Sequence, residues 1–272
     1  MRISALIIVL ISLWSCSREL PPKDSIHLIG HGGEGFSNLS ARYAPNSVAS
    51  IRRALEVYEL DGVEVDVRYT ADSNFIVYHD AYLEHSTQCK GIVKSLNLEE
   101  TVGCYYRKQF NNSYTEQVIS LDSLITLINT EWNDVPISIQ VQATETDNAI
   151  LEKMAVQYSK RLRRINYPKN IKTECNNGNF LFYLRRIYDY ECHLIAQIDT
   201  TSMKDIKRFG LQGIVSRFDQ RDYDVERELK KNDIYISLYG HKITRHYKDW
   251  TYDYIDAIQV DNPIKAIQYF GN

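Results

Sequence analysis

Three short apolar runs within residues 26–80 place the strongest constraint on the fold, because each run leads into side chains that can do chemistry. These side chains are His31, Glu64, Asp66 and His79. Between the first two runs, residues 46–58 carry apolar side chains at helical spacing, which indicates an amphipathic helix. Parallel strands are buried on both faces and read as short continuous apolar runs. The stretch therefore predicts a strand, a helix with Asn46 as N-cap, a second strand and a short link to a third.

Glu64 and Asp66 stand two residues apart, so on a strand their side chains point to the same side. Two adjacent carboxylates on a buried strand repel each other, and a bound cation is the expected reason for them. Sites built from oxygen ligands suit Mg²⁺ or Ca²⁺. We therefore expect one of these divalent cations at Glu64 and Asp66.

His31 and His79 each follow an apolar run directly. In a β/α barrel, the residues at the C-terminal ends of the strands face the active site. Two histidines beside a metal are suited to act as a general acid and a general base. The sequence does not indicate which histidine has which role.

The remainder of the chain alternates between strand and helix patterns. Further strands are predicted at residues 137–141, 171–174, 193–198, 213–215, 234–238 and 257–260, and further helices at residues 121–128, 149–162, 180–188, 203–209, 223–231 and 264–270. The total of nine strands is one more than an eight-stranded barrel uses. A chain of 272 residues with 25% charged residues and a net charge of −3 suits one α/β barrel and does not favour nucleic acid as a partner.

Five short motifs carry a resemblance to a known family. They are HGG at residues 31–33, APNS at 44–47, GVEVDV at 62–67, VYHD at 77–80 and VDNP at 260–263. In this order they resemble the glycerophosphodiester phosphodiesterases, whose usual pattern is roughly HRG, APENT, GVELDV, VVFHD and TDNP. The resemblance implies a (β/α)₈ TIM barrel over residues 26–272 that hydrolyses a glycerophosphodiester to glycerol 3-phosphate and an alcohol.

Several positions depart from the family pattern. Gly32 stands in place of the arginine of HRG. Gln140 occupies the position of the family's third metal carboxylate, and Gln142 occupies the position of a lysine. The amide oxygen of Gln140 can still bind a metal, but it is neutral and holds a divalent ion less tightly. Glu34 is a possible replacement for the lost carboxylate.

The glycines around His31 allow two interpretations. They can form a tight turn that needs positive φ, or a backbone nest in which Gly32 and Gly33 bind phosphate in place of the missing arginine. Asn46 and Gln142 are further candidate residues for binding the phosphodiester. The altered positions leave two alternatives to the expected activity. One is a catalytically weak barrel that binds a polar headgroup or sugar phosphate, and the other is a phosphodiesterase for a different lipid headgroup.

The N-terminus predicts a targeting segment. Residues 1–15 contain an apolar run that is too short for a permanent membrane span and has the form of a signal peptide. The sequence LWSC at residues 13–16 resembles a lipobox, which implies acylation at Cys16 and a tether over residues 16–25. We therefore expect an exported bacterial lipoprotein, anchored by its lipid alone and facing the periplasm or cell exterior. An ordinary cleaved signal peptide is the alternative.

Four cysteines remain after Cys16. An oxidising setting permits disulfides, and nearest-neighbour pairing gives Cys89–Cys104 and Cys175–Cys192. Free buried cysteines are the alternative for either pair.

Overall fold

The computed structural model describes residues 26–36, 41–107, 115–240 and 251–270. The predicted signal peptide, the tether and Cys16 lie outside these ranges. None of the helices in the described ranges has the length and apolar character needed to cross a membrane.

Ten strands and eight α-helices form the described part of the chain. The strands are β1 (His27–His31), β2 (Gly62–Tyr69), β3 (Phe75–Val77), β4 (Ile119–Ser120), β5 (Ile137–Val141), β6 (Ile171–Cys175), β7 (Glu191–Ile195), β8 (Gly213–Arg217), β9 (Tyr235–Tyr239) and β10 (Ala257–Val260). The helices are α1 (Val48–Glu56), α2 (Leu98–Thr101), α3 (Leu121–Thr130), α4 (Asn148–Leu162), α5 (Gly178–Ile187), α6 (Thr200–Phe209), α7 (Tyr223–Lys231) and α8 (Pro263–Phe270).

Eight of the strands close into a parallel barrel. Their order is β1, β2, β5, β6, β7, β8, β9 and β10, and β10 pairs in parallel with β1 to complete the ring. The predicted (β/α)₈ barrel is therefore confirmed. Of the nine predicted strands, the one that lies outside the barrel is β3. It pairs antiparallel with β2 and with the short β4. This strand forms a hairpin outside the barrel because only a short turn separates it from β2, whereas a parallel strand needs a long crossover.

Side chains alternate between the two faces of β2. Val63, Val65 and Val67 are fully buried and belong to the core shared with the helices. The intervening Glu64 and Asp66 point to the opposite side, into the barrel. The alternation therefore keeps the apolar side chains against the helices and leaves the carboxylates inside the ring of strands.

Polar caps start six of the described helices. Their N-cap side chains accept hydrogen bonds from the first helical turn, and these residues are Ser47, Ser120, Asp147, Asn177, Asp199 and Asp222. The prediction of Asn46 as the cap of α1 is wrong, because Ser47 has this role. Asn46 instead adopts a left-handed backbone, with φ of 67°, a conformation that asparagine tolerates better than most residues.

The described residues between β3 and β4, 78–107 and 115–118, pack beside the hairpin. Their apolar side chains form a second small core that includes Tyr78, Leu83 and Tyr106. A disulfide joins Cys89 to Cys104 in this segment, which confirms the first predicted pair. Cys175 and Cys192 are free and buried, so the second predicted pair is wrong and the alternative of free buried cysteines is correct for it. They lie on neighbouring strands, but in the ladder Cys192 is opposite Thr173 rather than Cys175.

Candidate active site

His31 ends β1 and is fixed by a carboxylate from the neighbouring strand. Its Nδ1 lies 3.0 Å from Oδ1 of Asp261, the residue that directly follows β10. The same carboxylate oxygen accepts a hydrogen bond from the backbone N–H of Phe36 at 3.2 Å. An Nδ1–H that donates to Asp261 leaves Nε2 of His31 as the proton-accepting nitrogen. Asp261 belongs to the VDNP motif, but the sequence alone indicates no role for it.

Asp66 lies inside the barrel and is held by neutral amides. Asn46 donates its Nδ2–H to Oδ2 of Asp66 at 2.9 Å, and Gln142 donates its Nε2–H to Oδ1 at 2.8 Å. The backbone N–H of Asp66 donates in return to Oδ1 of Asn46 at 2.8 Å. Asn46 and Gln142, both predicted to bind substrate, therefore contact Asp66 directly. Gln140 lies opposite Asp66 in the ladder between β2 and β5.

Glu64 is fully buried and only partly satisfied. Its Oε2 accepts a hydrogen bond from the backbone N–H of Gly32 at 3.1 Å, and its Oε1 has no hydrogen-bond partner among the described residues. Burial raises the pKa of Glu64 well above its ordinary value, and the negative charges of Asp66, Glu174 and Asp261 raise it further. These four carboxyl groups therefore lie within electrostatic reach of one another.

Glu174 is a buried acid that sequence analysis did not select. It lies on β6, is 1% exposed, and accepts a hydrogen bond at 2.8 Å from the side-chain amide of Gln259. The only signal in the sequence was a single acidic residue near the end of an apolar strand. Such a residue can equally face solvent, so the signal was too weak to use.

His79 follows β3, so it reaches the site from the hairpin rather than from a barrel strand. Its Nδ1 lies 3.0 Å from Oδ1 of Asp80. This hydrogen bond raises the pKa of His79, although partial burial opposes the shift. Asp80 also accepts a hydrogen bond from the hydroxyl of Ser86. The imidazolium form of His79 is therefore favoured.

The ring of Phe36 connects the two predicted catalytic histidines. Its centroid lies 4.7 Å from that of His31 and 5.0 Å from that of His79. The structure therefore brings both histidines to one place, near the C-terminal end of β1.

Two cavities flank the residues around Asp66. One, of about 100 Å³, is lined by Asn46, His79 and Arg107 among others. The other, of about 260 Å³, is lined by Arg68, Gln142 and the Lys94–Glu145 ion pair together with mostly apolar side chains. Arg68 also donates from Nε to the backbone oxygen of His79 at 2.6 Å. Arg68 and Arg107 are thus positively charged groups near the site, and sequence analysis selected neither of them.

The glycine turn after His31 supports the structure of the site. Gly32 and Gly33 have positive φ values of 61° and 93°. The N–H of Gly32 donates to Glu64, that of Gly33 to the oxygen of Gly30, and that of Glu34 to the hydroxyl of Ser50. These three N–H groups already have acceptors within the protein. The geometry therefore favours the tight turn over the predicted phosphate nest.

Glu34 does not take the place of the missing third carboxylate. It is fully buried, but its Oε1 forms an ion pair with Nε of Arg53, and its Oε2 accepts a hydrogen bond from the N–H of Arg42. Its negative charge is therefore neutralised by an arginine on α1.

The donor set around Glu64 fits a hard divalent cation. It consists of buried oxygen atoms with an excess of negative charge, and Oε1 of Glu64 is without a partner in the described part of the chain. Among the described residues, no three His, Cys, Asp or Glu side chains are arranged to hold a metal ion by themselves. A site with fewer than three such side-chain ligands is compatible with Mg²⁺, which is usually bound by one or two carboxylates together with water and substrate phosphate.

Comparison with known proteins identifies the family. The sequence model of the glycerophosphoryl diester phosphodiesterase family matches residues 38–265. The chain belongs to this family. A glycerophosphodiester phosphodiesterase from Caldanaerobacter subterraneus subsp. tengcongensis is 36% identical over 73 residues. That match covers 27% of this chain and 28% of the relative, so the chain spans little more than a quarter of the relative's length.

Solved structures of glycerophosphodiester phosphodiesterases and a related phosphodiesterase share the fold. A phosphodiesterase from Oleispira antarctica, solved with the product sn-glycerol-3-phosphate, has a TM-score of 0.75 and 16% identity. The match covers 91% of this chain and 97% of that one. A glycerophosphodiester phosphodiesterase from Parabacteroides distasonis has a TM-score of 0.71 and 18% identity, and the match covers 90% and 97% of the two chains. At such low identity these similarities establish the barrel rather than the chemistry.

Proposed function

We propose that this chain hydrolyses glycerophosphodiesters to glycerol 3-phosphate and an alcohol. The observation that carries the proposal is the meeting of His31 and His79 at the ring of Phe36, beside the buried pair Glu64 and Asp66. Family membership and the glycerol-3-phosphate bound in the Oleispira protein support the choice of substrate class.

The two histidines have partners that suit opposite roles. In the proposed reaction, Nε2 of His31 takes the proton from a glycerol hydroxyl, whose oxygen then attacks phosphorus. The bond from phosphorus to the alcohol oxygen breaks, and the imidazolium of His79 gives that oxygen a proton. A cyclic phosphate and a free alcohol result. Water then opens the cyclic phosphate, with the two histidines exchanging roles.

The remaining residues are assigned by position. When bound, a Ca²⁺ or Mg²⁺ ion would neutralise charge on the phosphate oxygens, and Glu64, Asp66 and the amide oxygen of Gln140 are its proposed ligands. Asn46 and Gln142 orient Asp66 through the hydrogen bonds described above. Arg68 and Arg107 are the nearby cations that we propose to attract the phosphodiester.

The test is release of glycerol 3-phosphate from glycerophosphocholine and glycerophosphoethanolamine, with each cation supplied in turn. We expect His31→Ala and His79→Ala each to lower kcat/KM by about 10²-fold or more, the usual contribution of a positioned acid or base. His27→Ala is the matched control, because this exposed histidine begins β1, at the opposite end of the strand from His31. It should leave kcat/KM unchanged.

The same assay distinguishes the alternatives. A wild-type chain that is as inert as His31→Ala on these substrates and on a wider panel of phosphodiesters would favour a barrel that only binds a headgroup or sugar phosphate. Activity on the wider panel alone would favour a different lipid headgroup as substrate.

We also propose that the chain is an exported lipoprotein acylated at Cys16. The support is the LWSC sequence at residues 13–16 and the Cys89–Cys104 disulfide, since disulfides persist in oxidising compartments. Mass spectrometry of the mature N-terminus tests this, and an unmodified terminus at another residue would exclude it.

A further inference from the structure

Glu174 is a buried carboxylate that the proposed mechanism leaves unused. It lies on β6 directly opposite Gln140 of β5, and adjacent strands are about 4.8 Å apart. In a parallel ladder, paired residues point to the same face, so Glu174 faces the barrel interior beside Gln140 and Asp66. Gln140 is the position at which the chain has an amide instead of a carboxylate.

Among the described residues, no lysine or arginine forms an ion pair with Glu174 as Arg53 does with Glu34. Lys172 lies within electrostatic reach of Glu174, and His193 is paired with it in the ladder between β6 and β7, but neither contacts its carboxylate. Oε2 of Glu174 accepts a hydrogen bond from the amide of Gln259, which satisfies the oxygen but carries no positive charge. Burying an ionised carboxylate without compensation is costly. A compensating cation is therefore expected inside the barrel, on the side where other carboxylates lie.

Glu64 provides independent evidence for a cation bound inside the barrel. It is fully buried, and its Oε1 has no hydrogen-bond partner within the described ranges. Glu64 lies within electrostatic reach of both Asp66 and Glu174. The fourth nearby carboxylate, that of Asp261, is engaged with His31. Glu64, Asp66 and Glu174 therefore remain to balance a cation.

We propose that Glu174 provides the third negative charge of the divalent-cation site, in place of the carboxylate that Gln140 lacks. This inference rests on the cation of the proposed function. It concerns charge, so it does not require Glu174 to bond to the ion directly. Gln140 on β5 lacks the negative charge of the family's carboxylate, and Glu174 on the next barrel strand, β6, supplies it.

The test is isothermal titration of the full chain with CaCl₂ and with MgCl₂. Because the charge count of the ligands tunes affinity in oxygen sites, we expect Glu174→Gln to weaken binding by about tenfold or more. The double variant Gln140→Glu/Glu174→Gln returns the charge to the family's position and should bind within about threefold of wild type. Glu191→Gln is the matched control, since it removes the same charge from the opposite end of the barrel interior. It should leave the affinity unchanged.

The outcomes separate this inference from the proposed activity. Equal affinity of Glu174→Gln and wild type would overturn it, as would a folded double variant that binds about tenfold more weakly than wild type. If Glu174→Gln fails to fold by circular dichroism, the double variant decides alone. A wild-type chain that releases glycerol 3-phosphate but binds neither cation would overturn the inference and the cation site, while the phosphodiesterase activity would stand.

Discussion

The barrel interior holds ionisable side chains at both of its ends, and the two ends differ in how their charges are balanced. At the start of the strands, Lys172, Glu191 and Tyr235 form what we name the N-terminal cluster, together with His193, which adjoins Glu174 in the ladder between β6 and β7. Nε2 of His193 lies 3.0 Å from the Glu191 carboxylate, and Nζ of Lys172 lies 3.9 Å from it and 3.4 Å from the centroid of the Tyr235 ring. Each charge in this cluster has an opposite charge or an aromatic face beside it.

Further along the strands, four acids form what we name the C-terminal cluster: Glu64, Asp66, Glu174 and Asp261. The hydrogen-bond donors to these acids include the neutral amides of Asn46, Gln142 and Gln259. Amides satisfy carboxylate oxygens but bring no positive charge. His31 lies beside Asp261 and Glu64, and none of the described lysines and arginines forms an ion pair with any of the four acids.

This difference in charge balance indicates which buried charges stabilise the fold and which serve a function. Charges balanced within the protein can be understood as structure, and the N-terminal face of a β/α barrel is the face associated with stability. An unbalanced buried cluster costs stability, and strongly shifted pKa values of this kind concentrate at functional sites. Substitutions at the two ends should therefore have opposite consequences.

The largest effect is expected from Glu64→Gln in the C-terminal cluster. Loss of this charge should lower kcat/KM by about 10²–10³-fold, the range found when one electrostatic group of an active site is removed. Because the pKa of Glu64 is raised in the folded state, ionisation of Glu64 opposes folding as pH rises above the unfolded value of about 4.3. The variant should therefore be more stable than wild type near neutral pH in cation-free buffer, by an amount on the order of 1 kcal/mol.

Denaturant unfolding and steady-state kinetics measure the two effects together. Glu226→Gln is the informative control, because Glu226 is buried in a bidentate ion pair with Arg221. Breaking that pair should lower the free energy of unfolding by about 3–5 kcal/mol and leave kcat/KM unchanged. If Glu64→Gln is destabilised to the same extent, the charge of the C-terminal cluster is balanced after all, and the comparison fails.

A smaller effect is expected from Lys172→Met in the N-terminal cluster. The variant removes the cation from the Glu191 carboxylate and from the Tyr235 ring, so the free energy of unfolding should fall by about 1–3 kcal/mol. Both partners remain partly exposed, which keeps the loss below that of a fully buried pair. KM and kcat should be unchanged. Altered kinetics with unaltered stability would show that the two ends of the barrel are coupled.

The alternation of apolar runs predicted the strands and most helices in the right order, because each leaves a clear periodic pattern, and the resemblance to the family implied the closed eight-stranded barrel. The sequence could not show which of nine strands lies outside the barrel. That depends on the pairing direction of β3, which is set by the short turn after Tyr69. The N-cap of α1 was misassigned by one residue, because Asn46 and Ser47 are both good capping residues and only the backbone conformation distinguishes them.

The proximity of His31, His79, Glu64 and Asp66 was predictable, because each belongs to a motif within or just after a strand, while their roles stay predictions. The site was not predictable where a role depends on contacts between distant strands. Glu174 gains its importance only from its pairing with Gln140 across the ladder. Similarly, the hydrogen bond from the N–H of Gly32 to Glu64 depends on β1 and β2 lying side by side, which the sequence does not show.

The smallest effect that we predict concerns His79 and Asp80, a balanced pair that lies at the functional end. If every charge that has an opposite charge beside it served only the structure, Asp80→Asn would change the free energy of unfolding and leave the pH dependence of activity unaltered. The hydrogen bond that His79 donates to the Asp80 carboxylate raises the pKa of His79, so His79 keeps its proton to higher pH than an ordinary histidine. As the proposed general acid, it must be protonated, and kcat/KM should fall as pH rises through this raised pKa. Asp80→Asn should therefore move the basic limb of the profile to lower pH.

The stability change in Asp80→Asn should be slight, because the side chain of His79 is 48% exposed and exposed ion pairs contribute little. The stabilisation from a raised histidine pKa is present below the unfolded value and is lost as pH rises through the folded one. Any destabilisation of Asp80→Asn should therefore be largest on the acidic side of that range. Profiles of kcat/KM against pH for wild type, Asp80→Asn and Asp80→Glu provide the measurement. Asp80→Glu retains the charge and should retain part of the shift. An unmoved basic limb in Asp80→Asn would assign the essential proton to another group, with His31 the first candidate, and would confine the Asp80 pair to a structural role.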